Sequence, residues 1–404
     1  MRPSRIATPI PIAAALLTAL SGVAAPAPCP EPTPPTEEAT ASVLDCAGDA
    51  SPSVPGCAGD PDGRPGDELG ERGRDLRGVY VPYPRLRAAR PRGLVRWVRR
   101  IGADAVILDM KDDRGRVTFR DDLAGAEGGP HGEVERMGEI VGALRAAGIY
   151  VIGRVVCFKD NQLFRAEPGA ALRDRRTGRV WRDRGGLAWS DPHSLAAHAH
   201  IARVAAAAAE LGVDEVQLDY VRFPVEPSAR FAHYPNRVGD PERHEVIAAL
   251  LARVDDALDR PLSIDVFGLT AYNPGDPDGL GQSLEHLAPY IDAISPMLYL
   301  ANWPARYYER PRPSRTHSLV EGAVARIRER LGDDIAVRPL LQGFRWRAKN
   351  YGVSFIHNQI DAAVGGGAAG YLFWNQNGVY GTVAAAFADL DRLARPSLPV
   401  LSER

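Results

Sequence analysis

Short apolar runs alternate with amphipathic segments along most of the chain, from residue 76 to residue 395. Between and after the apolar runs lie segments with helical periodicity, several of which end at a glycine, the residue that helix C-termini prefer. The pattern predicts eight strands, each followed by a helix. The apolar runs are GVYVPY (78–83), AVILDMKD (105–112), YVIGRVVCF (150–158), EVQLDYVRF (215–223), LSIDVFGL (262–269), AISPMLYL (293–300), AVRPLLQGF (336–344) and GYLFWN (370–375).

Eight successive strand–helix units predict an α/β fold with parallel strands, because a helix after each strand returns the chain to the same edge of the sheet. A repeat that fills residues 76–395 suits a closed (β/α)8 TIM barrel. An open doubly wound sheet is the alternative. That architecture usually has a glycine-rich turn after its first strand, and VPYPRLRAARPRG (81–93) carries no such fingerprint.

The first 75 residues have a different composition from the barrel region. Residues 1–27 combine two arginines, an apolar stretch and small residues, which is typical of a secretory signal peptide, with an uncleaved anchor as the alternative. Residues 28–75 are rich in Pro, Gly and Asp and nearly free of large apolar side chains, so we expect a disordered tether. Residues 396–404 form a C-terminal tail. This organisation predicts a secreted or cell-envelope protein.

Composition excludes several classes of function. With 49 basic and 51 acidic side chains, the formal net charge is −2, so no overall field attracts nucleic acid or an anionic membrane. We therefore expect no nucleic-acid partner, no membrane contact beyond the possible N-terminal anchor, and a monomer. The sequence also lacks a G-x-S-x-G elbow, a Walker loop and an H-E-x-x-H motif. No cofactor and no bound metal are expected.

The stretch DEVQLDYVRFP (214–224) places an acidic residue inside an apolar strand. A strand period of two puts Val216, Leu218 and Tyr220 on one face and Gln217 and Asp219 on the other. The apolar face should meet the helices, so Asp219 should point into the barrel. The same parity points further side chains inward: Ile107, Asp109, Lys111, Ile152, Arg154, Asp265, Phe267, Ser295, Met297, Tyr299, Leu340 and Gln342.

Carboxylates from different strands thus converge on the C-terminal rim, where TIM barrels hold their active sites. A buried carboxylate is costly unless it is paired. In the structural alternative, Asp219 serves merely to neutralise Arg154 or Arg222, and Asp109 serves merely to pair with Lys111. Aromatic residues cluster at the same strand ends, although aromatic residues are common in strands in general. Carboxylates beside aromatic rings favour a carbohydrate partner, because sugar rings stack on aromatic faces while their hydroxyls bind polar groups.

Several long motifs, in order, resemble a known family. AVILDMKDDRGRVTF, RVVCFKD, DEVQLDYVRFP, SIDVFG, ISPMLY, RPLLQGF and GYLFWN are similar to the bacterial family named "putative glycosyl hydrolase domain", secreted TIM-barrel proteins distantly similar to α-amylase-type barrels. The resemblance covers residues 75–394 and implies a glycosidase. The chitinase pattern D-x-x-D-x-D-x-E is broken here by Gln217 and Val221. In amylase-type terms, Asp219 occupies the nucleophile strand, Asp265 stands where a Glu acid is usual, and Gln342 replaces a third carboxylate.

These observations predict a secreted glycoside hydrolase that acts on a polysaccharide or a cell-envelope glycan. Asp219 would be the nucleophile or base and Asp265 the general acid, with Asp109 as a further rim carboxylate. Arg154 and Arg222 would keep Asp219 ionised, and the spacing of neighbouring strands favours a retaining mechanism. The alternative is a noncatalytic glycan-binding barrel. The expected sugar contacts are Lys111, Arg154, Tyr220, Arg222, Phe267, Tyr299, Gln342, Trp346, Trp374 and Asn375.

Overall fold

A computed structural model describes residues 69–119, 123, 132–303, 315–348 and 350–394. These residues belong to one compact unit, Arg64–Arg404. The expected signal peptide at 1–27, nearly all of the expected tether and the tail at 396–404 lie outside the described residues. None of the described helices combines the length and apolarity needed to cross a membrane.

Eight parallel strands close into a barrel, as the alternating pattern predicts. The strands are β1 (Leu76–Val81), β2 (Ala105–Lys111), β3 (Tyr150–Val156), β4 (Glu215–Asp219), β5 (Leu262–Phe267), β6 (Ala293–Met297), β7 (Ala336–Val337 and Leu340–Gln342) and β8 (Gly370–Trp374). Each strand pairs with the next, and β8 pairs with β1. The α/β TIM barrel is confirmed.

Helices follow the strands around the outside of the barrel. They are α1 (Tyr83–Ala88), α2 (Pro91–Ile101), α3 (Gly132–Ala146), α4 (Leu163–Ala166), α5 (Leu195–Glu210), α6 (Arg243–Asp255), α7 (Leu284–Leu287), α8 (Arg315–Leu331), α9 (Val353–Gly365) and α10 (Gly381–Ala394). Helix α2 ends at Gly102, whose φ of 83° is the left-handed conformation that a glycine C-cap supplies. α7 is short, because the chain continues into a 3-10 turn, Ala288–Tyr290.

The period of two along each strand separates two apolar layers. Outward residues such as Val106 and Leu108 join the large cluster between the sheet and the helices. Inward residues such as Ile107 and Ile152 form a smaller cluster inside the barrel. Both layers exclude water almost completely, so a polar inward residue must find a partner or face a cavity.

Four polar side chains fill the N-terminal end of the barrel, and we call them the floor cluster: Tyr150, Glu215, Ser263 and Arg338. Arg338 Nη2 lies 2.5 Å from Glu215 Oε1, and both side chains are fully buried. Ser263 donates to the same oxygen, and the Tyr150 hydroxyl donates to Glu215 Oε2 at 3.1 Å. Both carboxylate oxygens of Glu215 therefore have donors.

The segment before β1 covers this end of the barrel. Leu69 is buried against Ala293 and Ala336, the carbonyl of Gly73 accepts a hydrogen bond from Arg338 Nη1 at 3.1 Å, and residues 71–73 form a 3-10 turn. The packed structure thus includes residues 69–75, which the composition assigned to the tether.

The loops after β3 and β4 are long and lie together at the C-terminal end of the barrel. Arg173–Asp174 and Ala232–His233 pair there as a small antiparallel sheet. Trp189, fully buried, lies in the first of these loops and contacts the ring of Tyr220, which follows β4. The segment after β4 supplies Tyr220 and Arg222 to the lining of the cavity described next.

Candidate active site

A cavity of about 240 Å³ opens at the C-terminal end of the barrel, where strands β3, β4 and β5 end. This is the end of the fold at which TIM-barrel enzymes hold their catalytic residues. Eight of the predicted site residues line it, together with Met297 from β6 and Leu340 from β7. The lining residues are Arg154, Asp219, Tyr220, Arg222, Asp265, Phe267, Met297, Tyr299, Leu340 and Trp374.

Arg154 joins two of the predicted carboxylates. Its Nη1 lies 2.6 Å from Asp109 Oδ1, and its Nη2 lies 2.5 Å from Asp219 Oδ2, with Nε at 3.0 Å from the same oxygen. Arg154 as a whole is 4% exposed, so these charge-assisted bonds act in a low-dielectric environment. The two neighbouring carboxylates raise the pKa of Arg154 well above its usual range against the opposing effect of burial.

The backbone after Asp219 also holds its carboxylate. Strand β4 ends at Asp219, and Tyr220 adopts a φ of 52°, an uncommon left-handed conformation for a bulky residue. This turn brings the Tyr220 amide to 2.6 Å from Asp219 Oδ1. It also brings the Tyr220 ring to the cavity, whereas strand parity placed the ring on the face toward the helices. Strained backbone of this kind often marks functional sites.

Asp265 differs from the other carboxyl groups of the rim. Its side chain is 1% exposed, and neither carboxyl oxygen has a hydrogen-bond partner among the described residues. Leu218 of β4 pairs with Ile264 of β5, and Asp219 and Asp265 directly follow these two residues, so they are neighbours on adjacent strands. Burial, and then the charge of Asp219, raise the pKa of Asp265 well above its usual value. The environment of Asp265 therefore disfavours its ionised form.

An aromatic wall backs the carboxylates. The rings of Tyr80 and Trp374 stack with centroids 3.8 Å apart, and Arg154 lies 5.0 Å from the Trp374 ring. The Tyr80 hydroxyl donates to Asp109 Oδ2 at 2.7 Å. Sequence reasoning missed Tyr80, although the parity of β1 points it inward with Gly78. Burial raises the pKa of Asp109, an effect that Arg154 and Tyr80 oppose.

Arg222 also lines the cavity, and it makes no ion pair with a described carboxylate. Its guanidinium carbon lies 5.0 Å from the Trp189 ring centroid, 5.3 Å from that of Tyr220 and 4.7 Å from that of Phe267. Of the two arginines expected beside Asp219, Arg154 contacts its carboxylate and Arg222 does not. Asp219 acts on Arg222 through a longer-range charge interaction.

Three predicted sugar contacts lie behind the cavity wall, with their polar atoms bound to protein groups. Lys111 pairs with Asp160 at 2.8 Å and donates to the carbonyls of Val156 and Cys157. The register of β2 against β3 shifts between Asp109 and Lys111, which breaks the inward parity that the sequence implied.

Gln342 and Asn375 are the other two predicted sugar contacts whose polar atoms bind protein groups, and both form hydrogen bonds to loop backbone. The amide nitrogen of Gln342 donates to the carbonyls of Phe344 and Trp346, and its oxygen accepts from the Ala301 amide. Asn375 Nδ2 donates to the carbonyls of Gly343 and Val379. Trp346 itself is 59% exposed and does not line the cavity.

Comparison with known proteins agrees with this architecture. Residues 78–380 match the family described as "Putative glycosyl hydrolase domain". The fold is similar to the PgaB (BpsB) glycoside hydrolase domain from Bordetella bronchiseptica, at 16% identity and a TM-score of 0.53, over 79% of this chain and 97% of that one. No curated protein sequence matches the chain.

Two further solved structures share the barrel. A β-galactosidase from Marinomonas ef1 has a TM-score of 0.52 at 13% identity, over 78% of this chain and 58% of that one. The α-galactosidase TtGalA from Thermus thermophilus has a TM-score of 0.50 at 16% identity, over 80% of this chain and 62% of that one. The chain thus spans about three fifths of these two enzymes, and the likeness establishes the fold.

Proposed function

Because the chain belongs to the glycosyl hydrolase domain family, we propose that it hydrolyses glycosidic bonds with Asp265 as general acid and Asp219 as nucleophile or base. One observation carries this proposal. A buried carboxyl group without a hydrogen-bond partner stands in register beside a carboxylate that Arg154 holds. Two carboxyl groups whose environments differ in this way supply the acid and the base of glycoside hydrolysis.

In the first step, Asp265 transfers its proton to the glycosidic oxygen as the bond from that oxygen to the anomeric carbon breaks. Asp219 attacks the anomeric carbon from the other face and forms a glycosyl ester. In the second step, Asp265, now ionised, takes a proton from water, whose oxygen attacks the anomeric carbon and releases Asp219. The two residues stand on adjacent strands, which lie about 4.8 Å apart, a spacing that favours this retaining route over direct attack by water.

The remaining rim residues serve this chemistry in two ways. Arg154 orients Asp219 and, through Asp109 and Tyr80, is itself held in place. The cavity side chains Tyr220, Arg222, Phe267, Tyr299 and Trp374 contact the sugar. We assign Lys111, Gln342 and Asn375 a positioning role, because their polar atoms are bound to loop carbonyls and amides. Trp346, on the exposed surface beyond β7, offers a ring to a longer glycan.

The sequence supports the substrate class and the location that we propose. A signal-like segment at residues 1–27 and the Pro/Gly/Asp-rich stretch after it support a protein exported to the cell envelope or the medium. The substrate we propose is accordingly a polysaccharide or a cell-envelope glycan. The absence of Glu among the residues lining the described cavity favours a second candidate, a glycan-binding barrel without turnover.

Release of reducing ends from a panel of polysaccharides and cell-envelope glycans tests the proposal. The wild type should release reducing ends from at least one glycan, and Asp265→Asn should not. Proton NMR of the first-formed anomer should show retention, and inversion would move the catalytic base to Asp109. Tight binding without reducing ends from any glycan would establish the noncatalytic alternative.

A further inference from the structure

Among the described residues, three arginines are buried in and around the barrel, and one of them has no described acidic partner at contact distance. Arg154 and Arg338 each have a carboxylate oxygen 2.5 Å away. Arg222 is 6% exposed, yet no described carboxylate lies within ion-pair distance of it. Asp219, Glu226 and Asp183 influence it only from farther away.

The hydrogen bonds of Arg222 are also incomplete. A guanidinium carries five N–H donors, and among the described residues Arg222 makes one hydrogen bond, from Nη1 to the Phe223 carbonyl at 2.9 Å. Burial lowers the pKa of Arg222, whereas the carboxylate partners of Arg154 and Arg338 raise theirs. Its other donors have no partner among the described residues, and because Arg222 lines the cavity, they are available to a group that enters it.

The surroundings of Arg222 fix its plane without neutralising it. The rings of Trp189, Tyr220 and Phe267 lie within about 5 Å of the guanidinium carbon, and Arg222 lines the same cavity as Asp219 and Asp265. Asp109 and Asp219 already share Arg154, so neither is available to Arg222. A guanidinium held by aromatic faces presents a planar fork that matches an oxyanion in two hydrogen bonds.

We propose that Arg222 binds an anionic substituent of the sugar, a carboxylate or a sulfate ester, and that the substrate is an acidic glycan. This proposal rests on the proposed function of the same cavity, because it assigns the chemical class of the sugar that occupies it. The geometry favours a carboxylate, which fits the fork of the guanidinium with two parallel hydrogen bonds. Neutral sugar hydroxyls would satisfy single donors and leave the charge uncompensated.

A second feature of the rim suits a longer acidic glycan. A groove of about 720 Å³ lies between helices α1 and α2 and the residues just after β8, next along the chain from Trp374 and Asn375. Arg85, Arg90 and Arg96 line it, with Arg85 lying 4.6 Å from the Trp97 ring, and no acidic side chain is among its described lining residues. Three arginines and an aromatic ring suit further acidic sugars of the same chain.

Binding measured without turnover tests the inference. Isothermal titration calorimetry of the full chain carrying Asp265→Asn would use hexamers of galacturonate, of mannuronate and of hyaluronan, each beside its carboxyl-reduced counterpart. A sulfated neutral hexamer distinguishes the two kinds of anion. We expect at least one acidic hexamer to bind about 10–100-fold more tightly than its reduced counterpart, the range of a charged hydrogen bond.

Arg222→Gln in the same background should abolish that preference, because the acidic hexamer should lose more affinity than its reduced counterpart. Arg222→Met, which keeps the apolar volume of the cage, gives the same result if Gln disturbs folding, and thermal unfolding checks both. Arg90→Gln in the groove should weaken only the longer acidic chains. A preference for the sulfated hexamer alone would assign the sulfate ester as the anion.

Equal affinity for acidic and reduced hexamers, no binding of any acidic hexamer, or an equal loss for both in Arg222→Gln would overturn the inference. These outcomes are distinct from failure of the proposed function. Selective binding of acidic glycans without hydrolysis by the wild type would remove the glycosidase and retain the anion site. Hydrolysis of neutral glycans by a protein that does not prefer acidic ones would retain the glycosidase and remove the anion site.

Discussion

The two ends of the barrel interior each bury an arginine with carboxylates, but they use the arrangement differently. At the floor cluster, Glu215 receives donors on both carboxylate oxygens from Arg338, Ser263 and Tyr150. At the rim, Arg154 is shared between Asp109 and Asp219, while Asp265 stands beside them without a partner and faces a cavity.

This difference separates a stabilising ionic group from a reactive one. Removing one member of a closed buried pair leaves an uncompensated charge, so the floor cluster should govern stability. A buried carboxyl group without partners stabilises nothing and costs free energy, so its presence at the rim requires another reason. Perturbed carboxyl groups in clefts are candidates for catalysis because their proton affinity suits acid–base chemistry.

The largest expected effect is on turnover. Asp265→Asn removes the proton donor at nearly constant shape, so kcat should fall by about 10²–10⁴-fold, the range typical of general acid–base catalysis. Asp219→Asn should cost at least as much, because it removes the nucleophile. Both proteins should remain folded. Initial rates of reducing-end release, with far-UV circular dichroism as the check on folding, measure this.

Glu215→Gln is the matched control for these two variants, since it also neutralises one carboxylate on β4, at the opposite end of the barrel. Its turnover per folded molecule should equal that of the wild type. Loss of turnover in Glu215→Gln with full stability would remove the distinction between rim and floor.

Glu215→Gln should instead produce the second effect, a loss of stability. Arg338 is fully buried, and removal of its partner's charge should lower the free energy of unfolding by about 3–5 kcal/mol. The double variant Glu215→Gln/Arg338→Met should recover part of that loss, because no unpaired charge is left. Urea unfolding followed by intrinsic fluorescence gives both values. A single variant as stable as the wild type would contradict the role assigned to the floor cluster.

A smaller effect concerns pH. The pKa of Asp265 is raised in the folded protein by burial and by Asp219, so between the unfolded and the folded pKa the folded state binds a proton that the unfolded state releases. The stability associated with this group is fully present below the unfolded pKa of about 3.9 and is lost as pH rises toward the folded pKa. One proton accounts for at most about 1.4 kcal/mol per pH unit.

Asp265→Asn should therefore be more stable than the wild type at pH 8, and the difference should shrink as pH falls toward 4. Thermal unfolding of both proteins at several pH values measures the difference. If Asp265→Asn is less stable at every pH, the carboxyl group has a structural partner, and Asp265 would resemble Glu215 rather than a catalytic acid.

Sequence patterning predicted the barrel and the convergence of Asp109, Arg154 and Asp219, because alternation along a strand is a local property and parallel strands end at one rim. It could not place Lys111, since a one-residue shift in register between β2 and β3 depends on tertiary pairing. The left-handed turn at Tyr220 has no sequence signal either, because that conformation normally favours glycine or asparagine.

The smallest expected effect tests which residues before β1 stabilise the N-terminal end of the barrel. Deletion of residues 28–68 should change the Tm by less than about 2 °C, because that composition cannot bury much apolar area. Deletion of residues 28–75 is the matched variant. It also removes buried Leu69 and the Gly73 carbonyl that accepts from Arg338, each a contribution of about 1.5–3 kcal/mol. At roughly 2–4 °C per kcal/mol, the longer deletion should lower the Tm by several degrees while leaving the rim intact. Equal Tm values for the two deletions would show that residues 69–75 do not stabilise the floor, whereas a large drop on removal of 28–68 would place part of the fold in that segment.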